Sequence, residues 1–390
     1  MNIVYCINSI NYAGGTERVT VTKANELSNI GGNKVFLVVT DDNGDYPFLL
    51  DRKVKVINLS VNYYLDDWHT GIKAKFSQFR KKLKHRKMLR MMLESLSPDI
   101  VISTGQSEKL FLSRNFLKKR DVVFIREFHF STNYRLLFAK STFDFILAKI
   151  KNFIDFKFIS KRFDAIICLT PKDISENWEG YKNVYFIPNP LTIPIKKTSK
   201  IRHEYKRIIT VGRLTAIKNY SSLIRSYALI AHKYLDWTLE IYGDGDQREK
   251  LNAEINGFGL SNQIILKGYS SDIASKLANA DIFVMTSLTE GFPLVLFEAM
   301  SNNLPVVSYD CPYGPSYIID ENINGFLVEL NNEVGLADKI ELLINNEELR
   351  IKMGINGFDK TLNYLPELIA LKWMAFFTEL QKKHQIHKKM

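Results

Sequence analysis

The sequence predicts an α/β protein made of two doubly wound, Rossmann-like parallel sheets, and three observations carry that reading. The chain has 390 residues, more than one ordinary domain of ~150 residues needs. Short runs of Val, Ile and Phe without polar alternation recur along it, as strands covered on both faces do. Segments of helical period lie between most of these runs, and the βα rhythm breaks once and restarts.

In the first half, strands fit residues 2–8, 34–39, 54–58, 99–104, 121–126, 164–169 and 183–187, with helical segments such as 15–30 and 88–97 between them. In the second half, strands fit 207–212, 237–242, 263–267, 281–286, 304–308 and 325–328, with helices near 219–234, 246–257, 293–302 and 333–344. Between the halves runs Ile187-Pro188-Asn189-Pro190-Leu191-Thr192-Ile193-Pro194, where closely spaced prolines stop a helix and stiffen an extended connector. The expected domains are therefore 1–190 and 195–365. Residues 366–390 are expected to form a terminal helix, which docks on one domain, and a tail. Two such domains facing each other would place the ligand-binding strand ends around an interdomain cleft.

Composition excludes other classes. A hydrophobic share of 46% with 24% charged residues is that of a globular chain, not a disordered or collagenous one. Cys6, Cys168 and Cys311 lie far apart with no CxxC pair, so a reduced compartment is expected and a structural zinc cluster is not. The start of the chain lacks the basic n-region of a signal peptide, and no apolar run is long enough to span a bilayer. The net charge of +11 is uneven. Residues 1–200 carry 33 basic and 19 acidic side chains, and residues 201–390 carry 20 and 23.

The chemistry concentrates in two segments of the second half. In 281–300 a strand ends near Thr286, a loop follows, and Pro293 suits a first helical position. Free amides from Gly291 to Val295 would then face the loop and can bind an anion. Glu290 precedes that helix and Glu298 lies inside it. Carboxylates there accept hydrogen bonds from paired hydroxyls, so the two suit a sugar and a ribose flanking a diphosphate. The alternative, a capping acid and a solvated helical Glu, is disfavoured by the Gly-Phe-Pro between them. After strand 207–212, Arg213 and Lys218 stand where a fork-shaped guanidinium and an ammonium can neutralise a departing diphosphate, or else are plain loop cations.

Together Glu290-x7-Glu298, Gly212-Arg213-Leu214…Lys218-Asn219, Gly243-Asp244-Gly245, Gly268 and Pro305-Val306-Val307 resemble the signature of glycosyltransferase family 4, retaining enzymes of GT-B fold that use nucleotide-sugars. Gly314-Pro315 after Asp310-Cys311-Pro312-Tyr313 is similar to a bacterial subgroup making capsules, exopolysaccharides and lipopolysaccharides. The resemblance is strong over about 205–330. It implies that Arg213 and Lys218 bind the donor diphosphate and stabilise its leaving-group charge, and that Glu290 holds sugar hydroxyls. Amides of Gly291, Phe292, Pro293-Leu294 would contact sugar and phosphate, and Glu298 would take the ribose. Lys267, Gly268 and Tyr269 would lie near the nucleobase.

In the first half, Gly14-Gly15 opens a helix after the first strand. Alone it reads as a tight turn; with the resemblance it faces the donor diphosphate or the acceptor. Arg126-Glu127-Phe128-His129 resembles the Glu-His element of the subgroup, which implies that His129 contacts the donor sugar near the reacting carbon. Asp244-Gly245-Asp246 is a DxD, but it follows a strand in the βα series and matches the Gly-Asp-Gly loop. No cofactor and no essential metal are therefore expected. Gly14-Gly15 also lacks the GxGxxG spacing of a dinucleotide site.

Residues 71–90 hold nine Lys and Arg and no acid, with Ile72, Phe76, Phe79 and Leu83 at helical spacing. Aromatic side chains crowd 128–163 among scattered lysines. Such faces bind anionic membranes, although the apolar side can also pack on a sheet. No nucleic-acid recognition motif accompanies the charge. The expected protein is a hexosyltransferase working at the inner face of the cell membrane from the cytoplasm. It would move sugar from a nucleotide-sugar, expected to be UDP-linked, to a growing lipid-linked glycan. The rival readings are an epimerase or phosphorylase of the same fold, and a non-catalytic membrane-surface subunit.

Overall fold

The computed structural model describes residues 1–63, 71–105, 108–118, 121–129, 134–137, 139, 141–195 and 205–389. Within the segments 71–90 and 128–163, Phe130 and Phe138 lie outside the described residues, as do the side chains of Ile72, Lys73 and Tyr134. The chain divides into two compact units, Met1–Pro190 with Pro366–Met390, and Leu191–Leu365.

The first unit holds β1 (Asn2–Ile7), α1 (Gly15–Asn29), β2 (Lys34–Val39), β3 (Lys55–Asn58), α2 (Gly71–Leu96), β4 (Ile100–Ser103), β5 (Val123–Glu127), α3 (Tyr134–Leu137), α4 (Thr142–Ile154), β6 (Ala165–Cys168), α5 (Pro171–Asn177) and β7 (Val184–Phe186). Its parallel sheet has the order β3-β2-β1-β4-β5-β6-β7. The inner strands are mostly apolar runs because both faces are covered, while the edge strands β3 and β7 are only partly buried. Ile3, Tyr5 and Ile7 point to one side with Ala24 and Leu27 of α1, and Val4 and Cys6 point to the other with Leu89 and Leu93 of α2.

The second unit holds β8 (Arg207–Val211), α6 (Tyr220–Ala228), β9 (Thr238–Tyr242), α7 (Arg248–Gly257), β10 (Ile264–Gly268), α8 (Ile273–Ala278), β11 (Ile282–Met285), α9 (Leu294–Met300), β12 (Val306–Tyr309), α10 (Pro315–Ile318), β13 (Gly325–Val328), α11 (Glu333–Asn345) and α12 (Glu347–Thr361). Its parallel sheet runs β10-β9-β8-β11-β12-β13. Ile208, Leu239, Ile241 and Val284 pack there against α6 and α11.

α13 (Pro366–Lys389) returns to the first unit, where Ile369, Trp373 and Phe377 join the core beside β1 and α1. The terminal segment thus docks on the first sheet. Cys6, Cys168 and Cys311 are buried and free. No helix among the described residues is long and apolar enough to cross a membrane.

The basic segment 71–90 belongs to one 26-residue helix, α2. Its sheet-facing side is formed further along by His85, Leu89 and Leu93, which are buried. Phe76, Phe79 and Leu83 are exposed, so they do not pack on the sheet.

Candidate functional site

In the second unit, strand order reverses between β8 and β11. Open parallel sheets bind ligands beyond the carboxyl ends of the strands at such a switch point. The segments after β8 and β11 are tied together there: the Leu288 amide donates to the Ile217 carbonyl at 2.8 Å, and the Thr286 hydroxyl donates to the Lys218 carbonyl at 3.1 Å. The tie brings Lys218 Nζ within 2.6 Å of Glu290 Oε1. Their side chains are 23% and 15% exposed, so the pair is partly dry and still reachable. Arg213 is exposed on the same segment as Lys218 and has no ion-pair partner among the described residues.

Backbone stacking fixes this edge. The Gly212 amide donates to the Tyr242 carbonyl at 2.9 Å, and the Gly243 amide to the Gly268 carbonyl at 2.8 Å. Gly243 has φ of 137°, and a Cβ on it would lie 1.9 Å from the Gly212 carbonyl oxygen, so only glycine fits. A Cβ on Gly212 would meet the Tyr220 hydroxyl at 2.8 Å and the Lys218 side chain at 3.3 Å. The ammonium stem of Lys218 therefore lies over bare backbone.

The Asp244-Gly245-Asp246 loop clasps the same turn, with the Leu214 amide donating to the Asp244 carbonyl at 2.9 Å and the Gln247 amide to the Leu214 carbonyl at 3.0 Å. Asp244 Oδ1 accepts from the Gly245 amide at 2.8 Å. Among the described residues no cluster of three or more His, Cys, Asp or Glu side chains could hold a metal ion.

Pro293 is the N-cap of α9 rather than its first helical residue. The amides of Leu294 and Val295 then open the helix, in the turn where intrahelical partners are missing. Phe292 turns inward, its ring stacked on Phe297 at 5.3 Å between centroids; Pro293 is buried with it, while Gly291 and Leu294 are half-buried. Glu298 is buried, and its Oε1 accepts from the Thr192 hydroxyl at 2.8 Å. A carboxylate expected to take ribose hydroxyls thus already takes a hydroxyl of the chain.

Gly314 lies against this loop: a Cβ there would meet Pro293 Cδ at 2.5 Å and Glu290 Cβ at 3.2 Å. Its neighbour Tyr313 is buried with φ of 76°, a strained position for a bulky residue. Sequence reasoning missed this strain, and it missed the buried hydroxyls of Ser287 and Thr289, which have no hydrogen-bond partner among the described residues.

Gly268 ends β10 with φ of 74°, and Tyr269 beyond it is exposed. A hollow of about 380 Å³ beside them is lined by Arg207, Glu240, Tyr242, Lys267, Tyr269 and Lys276. Neither Lys218 nor Glu290 lines it, so it is not the space in front of the ion pair.

In the first unit the order reverses between β1 and β4. Gly14 caps α1 without a side-chain bond, and Gly15 is its first residue. The Glu17 carboxylate folds over Gly14, reaching 2.2 Å from where a Cβ would stand, so an anion arriving at this helix start meets a carboxylate first. Glu127 at the end of β5 is buried and paired with Lys23 of α1. Burial alone would raise the Glu127 carboxyl; Lys23 and then His129 overcome it and hold it at about 2. His129 Nε2 lies 3.7 Å from Glu127 Oε2, and its side chain is only 3% exposed.

The Glu127 and His129 pair named from sequence is therefore brought together, oriented by a lysine that sequence reasoning missed. The signal was present: Lys23 sits on the stripe of Val19 and Leu27, both buried, and a cation there needs an internal partner. Glu108 beyond β4 was also missed. It accepts from the Gly105 amide at 2.7 Å, and burial raises its carboxyl.

Residues 193–360 match the family model described as Glycosyl transferases group 1, a span containing Arg213, Lys218, Glu290 and Glu298. That match takes in most of the second unit, and with the relatives that follow it marks the protein as a glycosyltransferase. A glycosyltransferase of Haemophilus influenzae without an assigned reaction is 29% identical over 375 residues, 95% of this chain and 98% of that protein. The amylovoran biosynthesis glycosyltransferase AmsD of Erwinia amylovora is 26% identical over 384 residues, again 95% and 98% of the two chains. The structure of S. aureus TarM in complex with fondaparinux, α-GlcNAc-glycerol and UDP aligns at TM-score 0.76 and 19% identity. It covers 96% of this chain and 99% of that one. The likeness establishes the GT-B fold for the glycosyltransferase.

Proposed function

We propose that the protein transfers a sugar from a UDP-sugar, with retention of anomeric configuration, to a growing lipid-linked surface glycan of the capsule, exopolysaccharide or lipopolysaccharide kind. The observation that carries the reading is the contact of Lys218 with Glu290 beyond the switch-point strands, with Arg213 exposed beside it. Without donor, the ammonium and the carboxylate neutralise each other. A donor would separate them while leaving each a partner, since the diphosphate takes Lys218 and Arg213 and the sugar hydroxyls donate to Glu290. As the bond between sugar and phosphate breaks, its electron pair leaves on the diphosphate, where the two cations are already in place. The acceptor oxygen then joins the sugar carbon on the same face, and its proton passes to the departing phosphate. The cations do the work of charge stabilisation, so no essential metal is invoked.

Amides of Gly291 to Leu294 are proposed to hold sugar and phosphate, Glu298 the ribose in place of Thr192, and Gly268 and Tyr269 the base. Gly14, Gly15 and His129 are the first unit's proposed contribution. Relatives support the reading on both sides: AmsD is named for amylovoran biosynthesis, and TarM is seen with UDP. The basic stretch 71–90 is proposed to face an anionic membrane from the cytoplasm.

A panel of UDP- and GDP-sugars tests the reading by thermal stabilisation, followed by NMR of the glycosidic bond formed. Stabilisation by UDP-sugars and an unchanged anomeric configuration are expected. Stabilisation by GDP-sugars alone, or an inverted product, would contradict it.

A further inference from the structure

We infer that α4, with the turn that follows it, is the segment that seats this protein on an anionic lipid surface, lying in the plane of the headgroups. The inference deepens the membrane side of the proposed function and rests on it only for the lipid-linked acceptor.

A helix on a water-soluble domain normally turns its apolar stripe inward. α4 does the reverse. Only Ala148 and Asn152 of its side chains are buried, and the stripe they begin continues through Asp155 and Ile159. Phe143, Ile146, Ile150 and Phe153 face outward, Phe143 at 72% exposure, and Phe158 follows them beyond the helix. So large a set of exposed aromatic and branched side chains on one short helix marks an interaction surface.

The charge around it selects the occupant. Between residues 141 and 162 the exposed charges are Lys149, Lys151, Lys157, Lys161 and Arg162 against a single exposed acid, Asp144. Asp144 is engaged at the helix start, where it accepts from the Ser141 hydroxyl at 2.8 Å. An apolar face bordered by cations matches anionic headgroups above acyl chains. A second copy of the chain would set the same cations against each other across an isologous contact. α4 runs on into a π-helical turn, Asp155–Ile159, and Asp144, Lys149, Lys151, Asn152, Asp155 and Lys157 along that length suit the interface rather than the bilayer core.

The apolar side cannot roll inward, because the end of α4 is clamped. Buried Asp155 accepts from Lys109 at 2.7 Å and from Arg135 at 2.7 Å, and pairs with Arg126 of β5 at 2.5 Å. Ile159, in the turn, and Leu89 and Leu93 of α2 pack in one core cluster. α2, which exposes Phe76, Phe79 and Leu83 among its cations, thus shares that face of the sheet. α2 supplies long-range attraction and α4 the insertion.

The test is co-sedimentation of the full chain with phosphatidylcholine vesicles, with and without phosphatidylglycerol. The wild type should bind the anionic vesicles at least tenfold more tightly than the neutral ones, less so at high salt. Phe143→Ser/Ile146→Ser/Ile150→Ser should lower that binding at least tenfold while stabilisation by UDP-sugar is unchanged. An Ile150→Trp chain, which keeps the surface apolar, should shift its emission to the blue on anionic vesicles and be quenched by brominated lipid.

Three results would each overturn the inference: binding untouched by the triple substitution, an Ile150→Trp chain whose emission does not shift, or a concentration-dependent dimer that the triple substitution dissolves without any lipid binding. The vesicles carry neither donor nor acceptor, so this outcome stands apart from success or failure of the transfer reaction.

Discussion

Lys23 and Glu127 show how one residue's environment constrains another. The pair is buried in the first unit, with Lys23 Nζ also 4.9 Å from the Trp373 ring. Removing one member strands the other without solvent, which costs about 3–5 kcal/mol. Glu127→Gln and Lys23→Met should each lower the denaturant-derived stability by that order, and Lys23→Met/Glu127→Leu should recover most of it. Additive losses in the double variant would show that the two do not act as a pair. In the second unit, Gly314→Ala would press a methyl group onto Pro293 and the stem of Glu290. It should weaken UDP-sugar binding about tenfold in a calorimetric titration while moving the thermal midpoint by only a few degrees, because the clash falls on the loop and not on the sheet.

At the scale of elements, α2 gives the fold a pH dependence. Its His85 is buried on the sheet-facing side, bonded to the Tyr63 hydroxyl at 3.1 Å and edge-on to Phe111. Burial pushes the imidazole down to about 4, with Asp41 opposing weakly. The unfolded chain takes up a proton near pH 6.5 that the folded chain refuses until about pH 4. Stability from neutral His85 is therefore whole above pH 6.5 and is lost as the pH falls towards 4, to a limit of about 3 kcal/mol. Glu127, held at about 2, loses its contribution only below pH 4.5. Denaturant midpoints from pH 7 to pH 4.5 should fall for the wild type and fall less for His85→Gln.

Elements also show what was legible in the sequence. The strands were, since the inner ones are runs of mostly apolar residues buried on both faces, and even the partly exposed edge strands keep Val, Ile or aromatic residues. The direction a helix faces was not. Phe76, Phe79 and Leu83 have the spacing of a packed stripe, and only the structure shows that Leu89 and Leu93 take the sheet instead. α12 was hidden because Gly354 and Gly357 dilute its helical signal. They are there for packing: a Cβ on Gly354 would lie 2.0 Å from the Asn303 carbonyl oxygen. At the site, Glu290, Lys218 and Arg213 stood out by spacing. The lock on Glu298 by Thr192 and the lysine behind Glu127 depend on contacts between residues about a hundred positions apart, which no local pattern encodes.

For the whole molecule, the charge asymmetry follows the folded units. With α13 included, the first unit carries 35 basic and 21 acidic side chains, and the second carries 18 and 21. The unit with the exposed apolar helix is thus the cationic one, while the second unit is nearly balanced and places Arg213 and Lys218 at its site. Occupying that site should stabilise the protein by about 2.7 kcal/mol at a hundredfold excess of donor over its dissociation constant, readable as a rise in the thermal midpoint.

The central claim is that Lys218 and Glu290 exchange their mutual contact for the two ends of a nucleotide-sugar. Sugar transfer from a UDP-sugar to a lipid-linked acceptor by the wild type, Lys218→Ala and Glu290→Ala, each checked for an unchanged circular dichroism spectrum, tests it most directly. A loss of about 10²–10³ in turnover for both variants is predicted. Near-normal transfer by either folded variant would contradict the account.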